Sequence, residues 1–204
     1  MRLLFVCTGN LCRSAAADRL ATSWGTRQGV AVEIRSAGTR ALPGRPVHPR
    51  TERALERHGV RADGFTSSRL TEEAVDWADL VLTMTSEHRD EVVAVAPRGL
   101  RKVFTLLEAA ALYESLPQDS RRADLLPGAL AAARAQFARA AGPGFDITDP
   151  IDGSGRLHVE VVDQIADALG VLAPAVGTAL PPQEPADVEQ TLRIRRLPPV
   201  PRSI

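Results

Sequence analysis

The stretch Arg2-Leu3-Leu4-Phe5-Val6-Cys7-Thr8-Gly9-Asn10-Leu11-Cys12-Arg13-Ser14 decides how this chain is read. Its first half is a short apolar run with the length of a buried strand, and its second half is a turn leading into a segment suited to a helix, roughly Ser14–Trp24. A strand that ends in such a turn ahead of a helix can aim the amides of the turn and of the first helical turn into one concavity. Such a nest holds a tetrahedral oxyanion without a metal. Arg13 would add a planar, two-pronged donor to the same anion, and Gly9 is expected to supply backbone freedom that other residues lack. The converging positive partial charges favour a thiolate at Cys7, which makes it the candidate nucleophile. The bland alternative is a buried Cys7 at a strand end with Arg13 on a helix surface. An Arg six places after a Cys is weak evidence in a chain with 24 arginines, so the weight rests on strand, loop and helix following in that order.

Outward from this loop, short apolar runs at Leu3–Val6, Val32–Ile34, Leu80–Met84 and Val103–Leu107 alternate with segments suited to helices at roughly Pro49–His58, Thr71–Trp77, Ser86–Val95 and Gly153–Leu169. That alternation predicts an α/β fold of three layers, a central four-stranded parallel sheet with helices on both faces. In the last helix Leu157, Val161, Ile165 and Leu169 recur every four residues, a stripe that should cover the sheet. Residues 1–172 are expected to form the working domain, with 109–143, broken by Pro117 and Pro127-Gly128, as a helical insertion. Residues 173–204, which are proline-rich, read as an extended tail.

Bulk composition excludes more than it assigns. The 25 basic and 25 acidic residues cancel, so nothing global points to nucleic acid or to an anionic membrane, and any anion preference must be local. All but one of the basic residues are arginine, which together with abundant alanine resembles high-GC bacterial coding. Two cysteines are too few for a secreted disulfide framework and lack the remaining ligands of a zinc site, so a reducing cytoplasm is expected. The apolar run before Cys7 is too short for a signal-peptide core or a membrane span.

Taken with its neighbours, Cys-x-Gly-Asn-x-Cys-Arg-Ser after a strand resembles the low-molecular-weight protein-tyrosine phosphatases. Ser36-Ala37-Gly38-Thr39, Ser68–Thr71, Ala78–Met84 and Asp149-Pro150 extend the resemblance over residues 1–108 and 145–170. It implies Cys7 as nucleophile, Arg13 as oxyanion clamp and Asp149 as the acid that protonates the leaving group and then activates water. It implies that Thr8, Gly9, Asn10, Leu11, Cys12 and Ser14 surround the phosphate. Ser14 would donate a hydrogen bond to the Cys7 sulfur, Ser36 would hold Asn10, and Leu42 and Ile151 would wall the cleft. By the same resemblance Cys12 can form a reversible disulfide with Cys7. No metal or cofactor is implied. A histidine that the family often carries near the position of Thr66 is missing, and His48, His58, His88 and His158 are expected on the surface.

The implied activity is metal-free hydrolysis of protein phosphotyrosine and aryl phosphates through a cysteinyl phosphate. The implied partner is a tyrosine-phosphorylated protein, a bacterial tyrosine kinase being the first candidate. Leu11 bears on this choice, because that loop position is aliphatic in the family's tyrosine phosphatases and threonine in its arginine phosphatases. Against it, Leu42 and Ile151-Asp152-Gly153 offer no aromatic face to a tyrosine ring. An arginine phosphatase, an arsenate reductase of the same fold and a non-catalytic phosphoprotein-binding module remain as alternatives. The reductase is disfavoured by the absence of any cysteine beyond Cys12.

Overall fold

The computed structural model describes residues 1–28, 32–136 and 143–176. Four strands, β1 (Arg2–Cys7), β2 (Glu33–Gly38), β3 (Leu80–Thr83) and β4 (Val103–Thr105), form one sheet in the order β2-β1-β3-β4. Every pairing is parallel, with Phe5 opposite Ser36 and Leu82. The helices are α1 (Arg13–Gln28), α2 (Pro49–Glu56), α3 (Glu72–Trp77), α4 (Ser86–Val95), α5 (Leu106–Ser115), α6 (Leu126–Gln136) and α7 (Gly155–Val176).

Both faces of the sheet are covered, which explains why its strands read as continuous apolar runs rather than as alternating ones. Leu3, Phe5, Cys7, Leu80, Leu82 and Phe104 face one core with α1, α5, α6 and α7. Leu4, Val6, Val81 and Val103 face a second, smaller core that includes Val75 of α3 and Val92 of α4. Along α7, Val161, Ile165 and Leu169 are all buried in the first core, so the four-residue stripe does cover the sheet.

Several boundaries differ from the sequence reading. The apolar run Val103–Leu107 splits, because Thr105 and Glu108 close a reciprocal capping box that starts α5 at Leu106. The strand read at Val32–Ile34 instead occupies Glu33–Gly38 and so sets Ser36 beside Phe5 and Gly38 beside Cys7. Within residues 109–143, α5 and α6 bury Leu112, Leu126 and Leu130 in the main core. Helix α7 continues past residue 172 to Val176, and the rest of the proline-rich tail lies outside the described residues.

Candidate active site

Strands β1 and β3 are neighbours, yet the chain leaves β1 into α1 on one face and β3 into α4 on the other, so their carboxyl ends form the switch point at which α/β sheets open a binding crevice. The loop from Cys7 to Arg13 fills the base of that crevice, and its carbonyls are tied outward. Thr39 N–H donates to Cys7 O at 2.9 Å, Arg40 N–H to Thr8 O at 2.9 Å, His48 N–H to Leu11 O at 2.9 Å and Ala16 N–H to Cys12 O at 2.8 Å. With these carbonyls committed outside, the peptide planes turn amides inward, and Asn10 N–H points at Cys7 Sγ from 3.3 Å.

The residue with the unusual backbone is Asn10, at φ 54°, and not Gly9, whose φ is not positive and whose position would admit a Cβ touching nothing closer than the Leu11 side chain at 3.8 Å. Asparagine tolerates the left-handed region because its short amide can bond locally. Here Asn10 Nδ2 donates to Ser14 Oγ at 2.9 Å while Oδ1 accepts from Ser68 N–H at 2.8 Å. The closely packed glycine is Gly38, where a Cβ would lie 2.5 Å from Thr8 O and 2.8 Å from Asn10 N.

Ser14 Oγ stands 2.9 Å from Cys7 Sγ and 3.3 Å from Ala37 O. Because it accepts from Asn10 Nδ2, its own proton is free for the sulfur or that carbonyl, which fits the donor role expected of it. Ser36 does not hold Asn10. Its position beside Phe5 in the parallel register turns its side chain toward α1, where it donates to Asp18 Oδ2 at 2.8 Å, and the loop asparagine is held by the Ser68 amide instead.

Arg13 is almost fully buried, with NH1 donating to Ile147 O at 3.0 Å and NH2 paired with Asp149 Oδ2. Asp149 is 136 positions away in sequence, and its side chain is 41 % exposed, so the carboxylate sits at the mouth of the crevice. Its other oxygen accepts from Ile151 N–H at 3.2 Å, a turn contact that Pro150 stiffens. Of the expected cleft walls, Leu42 is 71 % exposed and Ile151 37 %.

Two histidines expected at the surface are buried. His88, on α4, bridges Thr85 Oγ1 at 2.7 Å through Nδ1 and Thr8 Oγ1 at 2.8 Å through Nε2. The Thr85 hydroxyl also accepts the His88 amide, so this one threonine holds both the backbone and the ring of His88. Burial first, and then the charge of Arg13, push the His88 pKa down to about 4, so a neutral imidazole braces the loop from the β3 side. Nothing in the order of residues 80–90 flags this contact, because it joins positions 80 apart. His158, on α7, is fully buried, with Nδ1 2.8 Å from Thr51 Oγ1 and its ring stacked on His48 at 4.8 Å. The Cys12 thiol, also buried, is pushed up to about 11, chiefly by desolvation. Both cysteines are free thiols.

A nest of loop amides at the carboxyl end of a parallel sheet, with a buried arginine and a carboxylate at its mouth, defines a class of small α/β phosphatases. The sequence profile described as low molecular weight phosphotyrosine protein phosphatase matches residues 2–115, more than half of the chain. A protein-arginine-phosphatase of Bacillus subtilis is 45 % identical over 109 residues, 53 % of this chain and 71 % of that protein. The low molecular weight protein-tyrosine-phosphatase Etp of Escherichia coli K12 is 36 % identical over 104 residues, 50 % of this chain and 68 % of that protein. A solved YwlE arginine phosphatase, a C7S mutant with a phosphorylated active-site serine, superposes with TM-score 0.66 and 30 % identity over 87 % of this chain and 96 % of its own. This chain belongs to the low-molecular-weight phosphotyrosine protein phosphatase family and is a phosphatase. Among the described residues no helix is long and apolar enough to cross a membrane.

Proposed function

We propose that this protein removes phosphate from phosphotyrosine in proteins through a cysteinyl phosphate on Cys7, without a metal. The observation that carries the reading is the convergence on one sulfur of Asn10 N–H and Ser14 Oγ, beside an arginine already paired with a carboxylate. The Cys7 thiolate attacks phosphorus in line. The loop amides and Arg13 hold the non-bridging oxygens, a preorganised electrostatic contribution of the kind that dominates phosphoryl transfer. As the P–O bond to the leaving group breaks, Asp149 delivers a proton to that oxygen. It then takes a proton from the water that hydrolyses the thiophosphate ester, and Ser14 stabilises the departing sulfur.

Asp149 Oδ2 pairs with a guanidinium nitrogen of Arg13 that a phosphate oxygen would also use. Substrate binding therefore exchanges one anion for another on Arg13 and frees the carboxyl for its catalytic position. An aliphatic Leu11 in the loop supports phosphotyrosine as the substrate. A second reading, phosphoarginine, draws its support from the Bacillus subtilis relative at 45 % identity.

Hydrolysis of p-nitrophenyl phosphate in EDTA tests the mechanism. Cys7→Ser should abolish turnover, and Asp149→Ala should lower kcat by about 10²–10⁴-fold while tightening vanadate binding, because the competing carboxylate is gone. Unchanged turnover in Cys7→Ser would sink the assignment. Phosphotyrosine and phosphoarginine peptides, each assayed with wild type and Leu11→Thr, then separate the two substrates. Tyrosine activity that falls and arginine activity that rises in the variant supports the tyrosine reading, and preferential hydrolysis of phosphoarginine by wild type replaces it.

A further inference from the structure

Behind the phosphate loop, three elements bring together residues that the mechanism above does not use for chemistry. Cys12 comes from the loop, His48 caps α2, and His158 lies on α7. One ligating atom from each lies within 4.8 Å of the other two. We propose that Cys12, His48 and His158 form a binding site for Zn²⁺, a borderline-soft divalent cation. The proposal is independent of which phosphoester the enzyme hydrolyses.

The hydrogen bonds decide which atoms are available. Arg50 N–H donates to His48 Nδ1 at 3.2 Å, and Thr51 Oγ1 lies 2.8 Å from His158 Nδ1, so both rings offer Nε2. His158 has no exposed surface, and its Nε2 has no hydrogen-bond partner. Pro150's carbonyl favours protonation of the ring without reaching hydrogen-bond geometry at that nitrogen. A buried, unpaired imidazole nitrogen costs stability unless something fills its lone pair, and native proteins keep few of them. Thr51 Oγ1 can accept from His158 Nδ1–H, and in that tautomer Nε2 carries the lone pair. This is also the outer-shell arrangement that metal-binding histidines use, the far ring N–H held by a protein acceptor.

One thiolate and two imidazoles are a donor set that zinc takes, with the fourth position left to water. Zn–N and Zn–S bonds of about 2.0–2.1 and 2.3 Å hold ligands roughly 3.3–3.6 Å apart, so the three groups must draw in from their present spacing. The two rings, now within 12° of parallel, must splay, and His48 is the one that can turn, because it is only partly buried whereas His158 is enclosed. Its open side gives the ion a way in. Zinc on Cys12 would clip α1, α2 and α7 together and withdraw that thiolate from any bond to Cys7.

The Cys7→Ser chain retains Cys12 as its only cysteine, which makes it the material for the test. Metal-free protein titrated with Co²⁺ should take up one equivalent and develop a thiolate-to-cobalt charge-transfer band. Zn²⁺ should displace the cobalt, and the melting temperature should rise as metal is added. His48→Gln and His158→Gln should each weaken uptake by at least about tenfold, and Cys12→Ser, made in the same background, should lose the band. No stoichiometric uptake at micromolar metal, or a band equally strong in both histidine variants, overturns the site. If the His158 variant shows no melting transition without metal, His48→Gln, at a partly exposed position, decides alone.

Discussion

At the scale of single residues, the loop works because carbonyls point out and amides point in, and the residue that enforces this from outside is Gly38. Its Cα hydrogen is all that fits between Thr8 O and Asn10 N. Gly38→Ala should leave the protein folded while shifting the loop, with kcat/KM for an aryl phosphate falling about a hundredfold, the usual penalty for an ångström of misplacement. Steady-state kinetics alongside a melting curve check this; a variant with full activity would mean that the loop tolerates the shift. Asn10 makes the complementary point, since a side chain that bonds both Ser14 and the Ser68 amide stabilises a left-handed backbone that most residues resist.

At the scale of elements, one ion pair ties α5 to α6 beside their apolar packing. Arg134 of α6 grips Glu108 of α5 through two nitrogens at 2.7 and 2.6 Å, donates to Val103 O at 2.8 Å and lies over the Phe104 ring at 3.8 Å. Glu108 is also the capping residue that starts α5 where the apolar run of β4 would otherwise continue. Removing the arginine leaves a buried carboxylate unpaired, so Arg134→Ala should destabilise the fold by on the order of 3 kcal/mol. Equilibrium urea unfolding measures this; a loss under 1 kcal/mol, roughly the worth of an exposed pair, would show that water reaches Glu108. This linkage fastens α6 to α5 and to the end of β4. Sequence pattern shows these apolar helices but not the charge pair that joins them.

At the scale of the whole molecule, His88 ties the layer outside β3 to the loop at the end of β1. Its pKa is depressed to about 4 in the folded protein against an ordinary 6.5, so the unfolded chain binds this proton first. The stability it represents is complete above about pH 6.5 and is lost as the pH falls toward 4. Calorimetric melting between pH 7 and pH 4 should show a fall in melting temperature that is shallower in His88→Gln; parallel curves for the two proteins would refute the assignment. The same residue illustrates how long-range packing recruits groups that look incidental in the chain, as does the Ser36 hydroxyl, which the strand register turns to Asp18.

The sequence by itself determined what is local. Residues 2–14 are contiguous, so strand, anion nest, Cys7 and Arg13 are fixed by short-range chain geometry, and the alternation of apolar runs with helix-suited segments specifies a covered parallel sheet. The tertiary structure alone decided what depends on distant segments meeting. It seats Asp149 on Arg13 across 136 positions, places the Ser68 amide and not Ser36 on Asn10, sets His88 behind Thr8, and gathers Cys12, His48 and His158. The physical reason is that register and helix packing, which set the direction of each side chain, are collective properties of the whole core.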